Sequence, residues 1–218
     1  MTSIFLSSLE DAKVLMDEAS HSRRASYEKF KRLLDIFTSL FLAVFAAILF
    51  PFIALAIKAE SSGPIFFKQK RVGKNGEHFM LWKFRSTYRT FVDETVGWGI
   101  EGDHVYTKVG LFLRRTYLDE LPQLKNVFKG EMSIIGPRPE RPEFVEILKK
   151  EIPYYELRLL VRPGLTGWAQ VNMENRAFAN EAKDKLKYDL YYIKHCSAWL
   201  DFKIILKTFA IVSQRLGR

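Results

Sequence analysis

The sequence has a single cysteine, Cys196, and only four histidines among its 218 residues. One thiol excludes an internal disulfide framework and suits a reducing cytoplasm. Cys196 directly follows His195, a pair that could suggest metal binding or a nucleophile. Because there is no second thiol and the histidines are scattered, an ordinary surface pair is the better interpretation. The chain also lacks internal repeats and low-complexity linkers, which favours one catalytic-size domain with appendages.

Acidic residues are in the minority. Lysine and arginine number 34 against 25 aspartates and glutamates, so the expected partner is anionic. Nucleic acid, anionic lipid and a phosphorylated metabolite all meet that condition. Base-stacking motifs typical of RNA-binding domains are absent although aromatic residues are plentiful, and we therefore expect no nucleic acid partner.

Charge is missing altogether from Ile36 to Ile57, a run of 22 residues. That length can cross the hydrocarbon core of a bilayer. A signal peptide is disfavoured, because roughly thirty mostly polar residues precede the run and no small-residue cleavage site follows it. A buried core helix is the alternative to a membrane segment.

The flanks of this run bear on its topology. Both are strongly basic, whereas the positive-inside rule requires only one cytoplasmic flank. Pro51 should bend a helix inside the run, and Asp35 at its entry needs a partner such as Lys31 or Arg32 one turn earlier. These features favour a re-entrant helix over residues 29–58 that turns at Pro51 and leaves on the side it entered. The basic flanking residues are Arg23, Arg24, Lys29, Lys31, Arg32, Lys58, Lys68, Lys70, Arg71 and Lys74.

Two short alternating runs follow the apolar segment. Ile65–Gln69 and His78–Phe84 flank a turn that contains Gly73, Asn75 and Gly76, and this pattern predicts a β-hairpin. Most of the remaining sequence has a helical hydrophobic period.

Near the C-terminus, Lys203 and Lys207 lie one turn apart on an otherwise apolar helix. Such a helix can lie in the membrane interface or pack as an ordinary core helix, and the pattern does not separate the two. The predicted fold class is α+β and mostly helical, with a re-entrant (monotopic) membrane helix, a β-hairpin and amphipathic interfacial helices around a globular core. Residues 1–28 are predicted to be an N-terminal extension and residues 59–218 the globular domain.

The stretch "YLDELPQLKNVFKGEMSIIGPRPERPEF" places two adjacent acids, Asp119 and Glu120, shortly before a proline. Thr116 and Asp119 have the spacing of a capping box, and Pro122 is tolerated in a first helical turn. On this stretch alone a helix-capping role is favoured. The predicted helix would bury Leu118, Leu121, Leu124 and Phe128.

Basic residues are grouped with turn-forming residues. "LWKFRS" places Lys83 and Arg85 on one face of an extended run, and "LRRTYLDE" places Arg114 just before the acids. "GPRPERP" fixes Arg138 between prolines, and "VRPGLTG" sets Arg162 before a Pro-Gly turn. Singly, each arginine is an ordinary surface charge, but a rigidly held guanidinium binds phosphate bidentately.

Acids among such cations have two further uses besides capping. A carboxylate can attack a phosphoryl centre to give an aspartyl-phosphate type of intermediate, or it can hold a Mg²⁺ that shields a diphosphate. Neighbouring helical residues point about 100° apart, so Asp119 and Glu120 should have different roles.

The motif "TYLDELPQLKNVFKGEMSIIGPRP" resembles the signature of the bacterial sugar transferases, small monotopic phosphoglycosyl transferases that begin glycan assembly on a polyprenyl phosphate. The resemblance extends back through "LWKFRS" and "SSGPIFFKQKRVG" to "KRLLDI…FPF", and forward through "VRPGLTGWAQVN" and "LKYDLYYIKHCSAWLDFKIILKT". Motifs this long and in this order are specific.

The resemblance implies that residues 59–218 are a cytoplasmic catalytic core, a phosphoglycosyl transferase domain. It also implies a two-step reaction at the cytoplasmic face of the bacterial inner membrane. Asp119 would attack the β-phosphate of a UDP-sugar, release UMP and carry the phosphosugar covalently. Polyprenyl (undecaprenyl) phosphate would then accept the phosphosugar, as the first membrane step of exopolysaccharide, O-antigen or glycoprotein glycan assembly. The family also implies Mg²⁺ with Asp119 as its contact, and Glu120 would orient groups or handle a proton.

The resemblance also assigns binding residues. Lys83, Arg85 and Arg114 match basic positions expected around the diphosphate. Pro137 and Arg138 belong to the motif thought to meet the nucleotide, and Arg162 is a further candidate.

The sequence departs from the family pattern at two points. Thr87 stands where methionine is common, and Phe50 precedes Pro51 where the membrane helix often breaks at Ser-Pro. The sugar and the oligomeric state are left open, and a homodimer is compatible with the sequence. The alternative class is a non-catalytic membrane-attached adaptor that binds anionic lipid or nucleic acid, which would not explain why acids lie among the arginines.

Overall fold

The computed structural model describes residues 22–88, 106–173 and 180–214. This part of the chain is mostly helical, as predicted, with two small two-stranded sheets. The strands are β1 (Phe66–Val72), β2 (His78–Phe84), β3 (Ser133–Ile135) and β4 (Gly164–Thr166). The α-helices are α1 (Ser22–Glu60), α2 (Lys108–Arg115), α3 (Leu124–Lys129), α4 (Pro142–Glu151), α5 (Trp168–Asn172), α6 (Asn180–His195) and α7 (Ala198–Ser213). Most of the predicted extension, residues 1–21, lies outside the described residues.

Helix α1 contains the uncharged run and continues through Pro51. A proline inside a helix removes one N–H donor and leaves the carbonyl four residues earlier, that of Ala47, without its usual partner. Loss of one hydrogen bond does not end a helix of 39 residues. The chain therefore does not leave helical structure at Pro51, where the sequence predicted a turn.

Helix α1 is not a core helix. Its most apolar window has a mean hydropathy of 2.9, and only 11 % of that window is buried. A core helix of this composition would be covered by other elements, so the buried-core alternative is wrong. The exposed apolar side chains of α1 include Leu33, Leu34, Phe37, Leu40, Phe41, Val44, Phe45, Ile48, Phe52 and Leu55.

The N-terminal part of α1 is attached to the globular body by charged side chains. Lys31 Nζ lies 2.6 Å from Asp201 Oδ2 in α7. Arg32 donates to the main-chain carbonyls of Val127 and Phe128 at 2.6 and 2.7 Å, near the C-terminal end of α3. Cations at this end of α3 also face the negative end of the helix dipole.

Asp35 is buried on the same face of α1, but its partners differ from those predicted. Its Oδ1 accepts hydrogen bonds from Ser133 Oγ and from the main-chain N–H of Ile134, both at 3.0 Å. The direct hydrogen-bond partners are therefore neutral donors of β3, while Lys31 and Arg32 bind other elements. The charges of both cations still act on the Asp35 carboxyl.

The C-terminal part of α1 contacts the same body. The ring of Phe50 stacks on Phe66 of β1 with centroids 5.8 Å apart. The Glu60 carboxylate accepts from the main-chain N–H groups of Lys108 and Val109 at 2.7 and 2.8 Å, where it satisfies donors that the first turn of α2 leaves unpaired. Both ends of α1 are therefore fixed to one body.

Strands β1 and β2 form the predicted antiparallel hairpin. Phe66 lies opposite Phe84, and Val72 lies opposite His78. Asn75 adopts the left-handed conformation in the turn, with φ of 56°, which asparagine tolerates better than most residues. The hairpin prediction is confirmed.

Strands β3 and β4 are parallel, with Ser133 opposite Gly164 and Ile135 opposite Thr166. The strands approach so closely that a Cβ on Gly164 would lie 2.0 Å from the Gly136 nitrogen. This contact fixes the start of the proline-rich loop that follows β3.

Gly164→Ala should lower the stability of the fold, because the added methyl group overlaps the main chain of Gly136. Over-packing of this kind costs about 1–3 kcal/mol and can be measured as a lower thermal midpoint in detergent. Gly73→Ala is the matched control, since its Cβ would meet Glu77 O at 3.2 Å and the movable Phe79 ring at 3.3 Å. Equal midpoints for the two variants would contradict the close approach of β3 and β4.

Candidate functional site

Asp119 and Glu120 are buried in a 3₁₀ helix, Leu118–Gln123. No side chain caps this helix, and Tyr117 before it has a left-handed main chain with φ of 57°. The Thr116 hydroxyl donates back to Phe112 O at 2.8 Å. The predicted capping box is therefore wrong, because Thr116 belongs to the end of α2 and the chain reverses at Tyr117. Phe128, predicted to be buried, is 55 % exposed.

Glu120 binds two cations from distant parts of the sequence. Its Oε1 accepts from Lys83 Nζ at 2.7 Å and from Arg138 Nη2 at 2.8 Å. Burial raises the pKa of the Glu120 carboxyl, but Arg138 and Lys83 outweigh burial and hold the pKa well below its usual range. Glu120 in turn raises the pKa of the Arg138 guanidinium. Glu120 is therefore ionised, and it joins the end of β2 to the loop after β3.

Asp119 is less well compensated than Glu120. Its Oδ2 lies 3.8 Å from Lys83 Nζ, and within the described segments no hydrogen bond to its carboxylate is present. Burial raises the pKa of the Asp119 carboxyl; Lys83 opposes this rise and Glu120 adds to it. Arg114 also lies close enough for its charge to lower that pKa. A carboxylate oxygen with no hydrogen-bond donor, lying beside cations, is what a nucleophilic or metal-binding carboxylate needs.

The loop that carries Arg138 is held rigidly through its main chain. Prolines 137 and 139 have no N–H to donate and fix their own φ angles, and each carbonyl from residue 137 to residue 140 accepts a hydrogen bond from outside the loop. The pairs are Gly164 N to Pro137 O at 2.8 Å, Arg158 Nη2 to Arg138 O at 2.9 Å, Arg71 Nη1 to Pro139 O at 3.0 Å and Val72 N to Glu140 O at 2.9 Å.

Arg158 connects this loop to the protein core. Its Nε and Nη2 lie 3.0 and 2.8 Å from Asp189 Oδ2 of α6, and its Nη1 donates to the Tyr155 hydroxyl at 2.7 Å. Both members of the ion pair are buried. Sequence reasoning missed Arg158 and Asp189. The available signal was the isolated Asp189 in "YDLYYI", because a charge among buried apolar residues requires a partner.

Two of the predicted substrate-binding arginines do not reach the acid pair. Arg85 is buried and donates to the main-chain carbonyls of Ser61 and Ser62 at 2.8 and 2.6 Å, which closes the link between α1 and β1. Arg162 donates through Nε to Gly130 O at 3.0 Å. Both side chains therefore have structural contacts away from the acid pair, and their predicted part in substrate binding stays a prediction.

The remaining predicted residues converge. Lys83 and Arg138 contact Glu120 directly, and Pro137 begins the rigid loop. Arg114 stacks over Tyr106, 4.4 Å from the ring centroid, with its charge near Asp119. The structure thus brings the acid pair together with three of its predicted cations.

The fit to a magnesium ion rests on Asp119. Within the described segments no cluster of three or more His, Cys, Asp or Glu side chains could hold a metal alone. Mg²⁺ is commonly held by one or two carboxylates together with substrate phosphates and water. The under-compensated Asp119 carboxylate satisfies that requirement, so the residues present fit the ion that the family resemblance implies.

Fold and site together define a mostly helical α+β protein with a buried cluster of acids and cations beside a membrane-length apolar helix. The sequence model of the family described as "Bacterial sugar transferase" matches residues 26–215. The chain belongs to the bacterial sugar transferase family.

Similar curated proteins have related names. A UDP-N-acetylgalactosamine-undecaprenyl-phosphate N-acetylgalactosaminephosphotransferase from Aeromonas hydrophila is 41 % identical over 191 residues, covering 88 % of this chain and 45 % of that protein. A UDP-glucose:undecaprenyl-phosphate glucose-1-phosphate transferase from Escherichia coli K12 is 44 % identical over 158 residues, 72 % of this chain and 34 % of that protein. A protein of the same name from Caulobacter vibrioides is 38 % identical over 187 residues, 85 % of this chain and 70 % of that protein. The chain thus spans less than half the length of the first two relatives.

Asp119→Asn should leave the thermal midpoint unchanged or raise it. A group whose pKa is raised by folding opposes folding at every pH above its unfolded pKa, and burial raises the pKa of Asp119. Near neutral pH, removal of the charge removes that cost.

Glu120→Gln should do the opposite, because Lys83 and Arg138 lose their shared counter-ion. Removal of one partner from a fully buried pair costs about 3–5 kcal/mol. Since the Arg138 side chain is 29 % exposed, we expect about 2 kcal/mol here. Thermal melting in detergent compares the two variants, and a lower midpoint for Asp119→Asn than for Glu120→Gln would assign Asp119 a structural role.

Proposed function

We propose that the protein transfers a phosphosugar from a UDP-sugar to a polyprenyl phosphate, giving polyprenyl-diphospho-sugar and UMP. The observation that carries the proposal is Asp119, a buried carboxylate that accepts no hydrogen bond from the described residues and lies near rigidly placed cations. Names of similar proteins combine a UDP-sugar donor with undecaprenyl phosphate. The sugars in those names differ, so the sugar used by this chain is not assigned.

In the first step an Asp119 carboxylate oxygen bonds to the β-phosphorus of the UDP-sugar. The bond from that phosphorus to the bridging oxygen breaks, and UMP leaves with the electron pair. In the second step a phosphate oxygen of the lipid attacks the same phosphorus, and the bond to Asp119 breaks. The carboxylate is thereby restored, and one difficult displacement has become two easier ones.

Lys83 and Arg138 stabilise the charge that develops on the transferred phosphoryl group. Both are held in place before substrate arrives, so little reorganisation is needed during reaction. Glu120 orients these cations. We assign it orientation in preference to proton transfer, because a carboxyl with a strongly lowered pKa is a poor proton carrier near neutral pH. A Mg²⁺ held by Asp119 would neutralise charge on the diphosphate.

We further propose that the chain attaches to one face of the bacterial inner membrane, the cytoplasmic face. Ser39 is buried against the body, and Leu49 packs on the cluster that contains Phe84 and Leu113. The intervening stretch of α1, residues 40–48, is far shorter than the roughly 20 residues that a bilayer span needs. Because α1 is fixed to the body at both ends and has an apolar outer face, it can insert into one leaflet of the membrane without crossing to the other side.

The adaptor alternative is not supported. A passive anion-binding surface has no need of a buried carboxylate with a raised pKa, because that group opposes both folding and anion binding.

Asp119→Asn should reduce UMP release by roughly three orders of magnitude or more, since the nucleophile loses its charge. The assay measures UMP from a panel of UDP-sugars with Mg²⁺ and polyprenyl phosphate, which also identifies the sugar. Glu143→Gln is the matched control, because Glu143 is an exposed acid of α4, and it should retain normal turnover.

Wild-type protein incubated with UDP-sugar and without the lipid acceptor should carry a phosphosugar on the peptide that contains Asp119. Near-normal turnover of Asp119→Asn would contradict the covalent mechanism. A phosphosugar adduct on another residue would assign the nucleophile to that residue.

Topology can be tested with cysteines at exposed positions near each end of α1. In a Cys196→Ser background, Lys29→Cys and Ala59→Cys should both be shielded from an impermeant thiol reagent in intact cells and both labelled after lysis. One-sided attachment keeps the two ends on the cytoplasmic side. Labelling of only one position in intact cells would establish a true span.

A further inference from the structure

The outward face of the β-hairpin carries a second group of aromatic and basic side chains. In the register of β1 and β2, Lys68 lies opposite Trp82 and Lys70 lies opposite Met80. Successive side chains of a strand point to opposite faces. Lys83 points inward to Glu120, so these four side chains lie on the face turned away from the acid pair.

Two ammonium groups contact the ring of Trp82. Lys68 Nζ is 4.1 Å and Lys125 Nζ is 4.0 Å from its ring centroid. Lys125 is brought there by Asn126, whose side chain accepts from Trp82 N and donates to Met80 O along the edge of β2. Neither lysine forms an ion pair with a carboxylate in the described part of the chain. We define the Trp82 patch as Lys68, Lys70, Met80, Trp82, Lys125 and Phe128.

The Trp82 patch lies between the two places at which α1 is fixed. On one side Phe50 of α1 stacks on Phe66, and Phe66 meets Trp82 edge-to-face at 5.6 Å. On the other side Arg32 of α1 binds Phe128 O. The patch is therefore continuous with α1, whose outer side chains are apolar and exposed. Within the patch, Met80 is 45 % exposed and Phe128 is 55 % exposed.

We propose that the Trp82 patch rests in the headgroup layer of the membrane and that its lysines bind phosphates of anionic phospholipids. Tryptophan prefers the boundary between hydrocarbon and water. Lysine can keep its stem along apolar surface while its ammonium reaches a phosphate, and basic groups near an anionic leaflet are attracted to it. A bilayer is a better partner for the Trp82 patch than nucleic acid, because the patch adjoins the exposed apolar surface of α1.

This inference rests on the proposed one-sided attachment and adds a second contact to it. If α1 were the only contact with the membrane, the whole protein could rotate about the axis of α1 relative to the membrane plane. A basic and aromatic contact at the hairpin would fix that rotation, and the inward face with Lys83 would keep a constant orientation to the lipid acceptor.

The test uses the full chain with Trp82 as the sole tryptophan, made by Trp98→Phe, Trp168→Phe and Trp199→Phe. It is reconstituted in vesicles of phosphatidylcholine with and without phosphatidylglycerol. With phosphatidylglycerol, Trp82 emission should shift to shorter wavelength, be quenched by brominated phospholipids and be protected from aqueous acrylamide. Lys68→Glu combined with Lys125→Glu should abolish the dependence on phosphatidylglycerol. Lys149→Glu combined with Lys150→Glu, the same charge change on exposed positions of α4, should preserve it.

The outcomes separate the two proposals. If the protein sediments with vesicles but acrylamide quenches Trp82 as strongly as in detergent, the Trp82 patch is overturned and the attachment through α1 stands. Failure to sediment with vesicles would overturn both. UMP release in detergent should be equal for the two charge-reversal variants, and its loss only in Lys68→Glu with Lys125→Glu would place these lysines in the reaction site and overturn their assignment to phospholipid.

Discussion

The carboxylate of Glu120 is the contact on which the site depends. It binds Lys83 at the end of β2 and Arg138 in the loop after β3, and thereby joins those two segments of the chain. Three charges are stable in a mostly buried place because each compensates the others. Among the described residues the ion pair of Asp119 is the longer one with Lys83, at 3.8 Å, so the same arrangement leaves one carboxylate chemically available. The uncompensated charge of Asp119 lowers local stability, which agrees with the proposed role of Asp119 in the reaction.

The rigidity of Arg138 has its origin well outside the site. A loop with alternating prolines has few N–H groups of its own, so its carbonyls need donors from elsewhere. Arg158 provides one of these donors and is itself held by Asp189 of α6. The position of the Arg138 guanidinium therefore depends on an ion pair within the helical core. A rigid guanidinium loses less conformational freedom when it binds a phosphate.

Helix α1 belongs to the same framework as the site. Asp35 binds the main chain and a side chain of β3, the strand that leads into the proline loop. Lys31 binds Asp201 of α7, and Tyr192 of α6 donates to the same carboxylate at 2.9 Å. The apolar helix and the acid pair are thus joined through β3 and the core helices. In the proposed reaction between a UDP-sugar and a lipid phosphate, such a connection would keep the reacting groups at a fixed depth.

The sequence alone determined the features that depend on neighbouring residues. These are the hairpin and its turn, the apolar length of α1, the stiffness of the Arg138 loop and the pairing of two acids with nearby basic motifs, because period, turn chemistry and composition act locally. Only the tertiary structure decided which charges meet. Glu120 contacts a lysine 37 positions away, and Asp35 contacts a serine 98 positions away. Arg85 and Arg162 match the motifs but serve main-chain carbonyls, and Arg158 takes a positioning role that its motif did not indicate. Such contacts depend on how distant segments pack together. A buried charge is stable only beside a partner, and the tertiary structure decides which partner lies within hydrogen-bond distance.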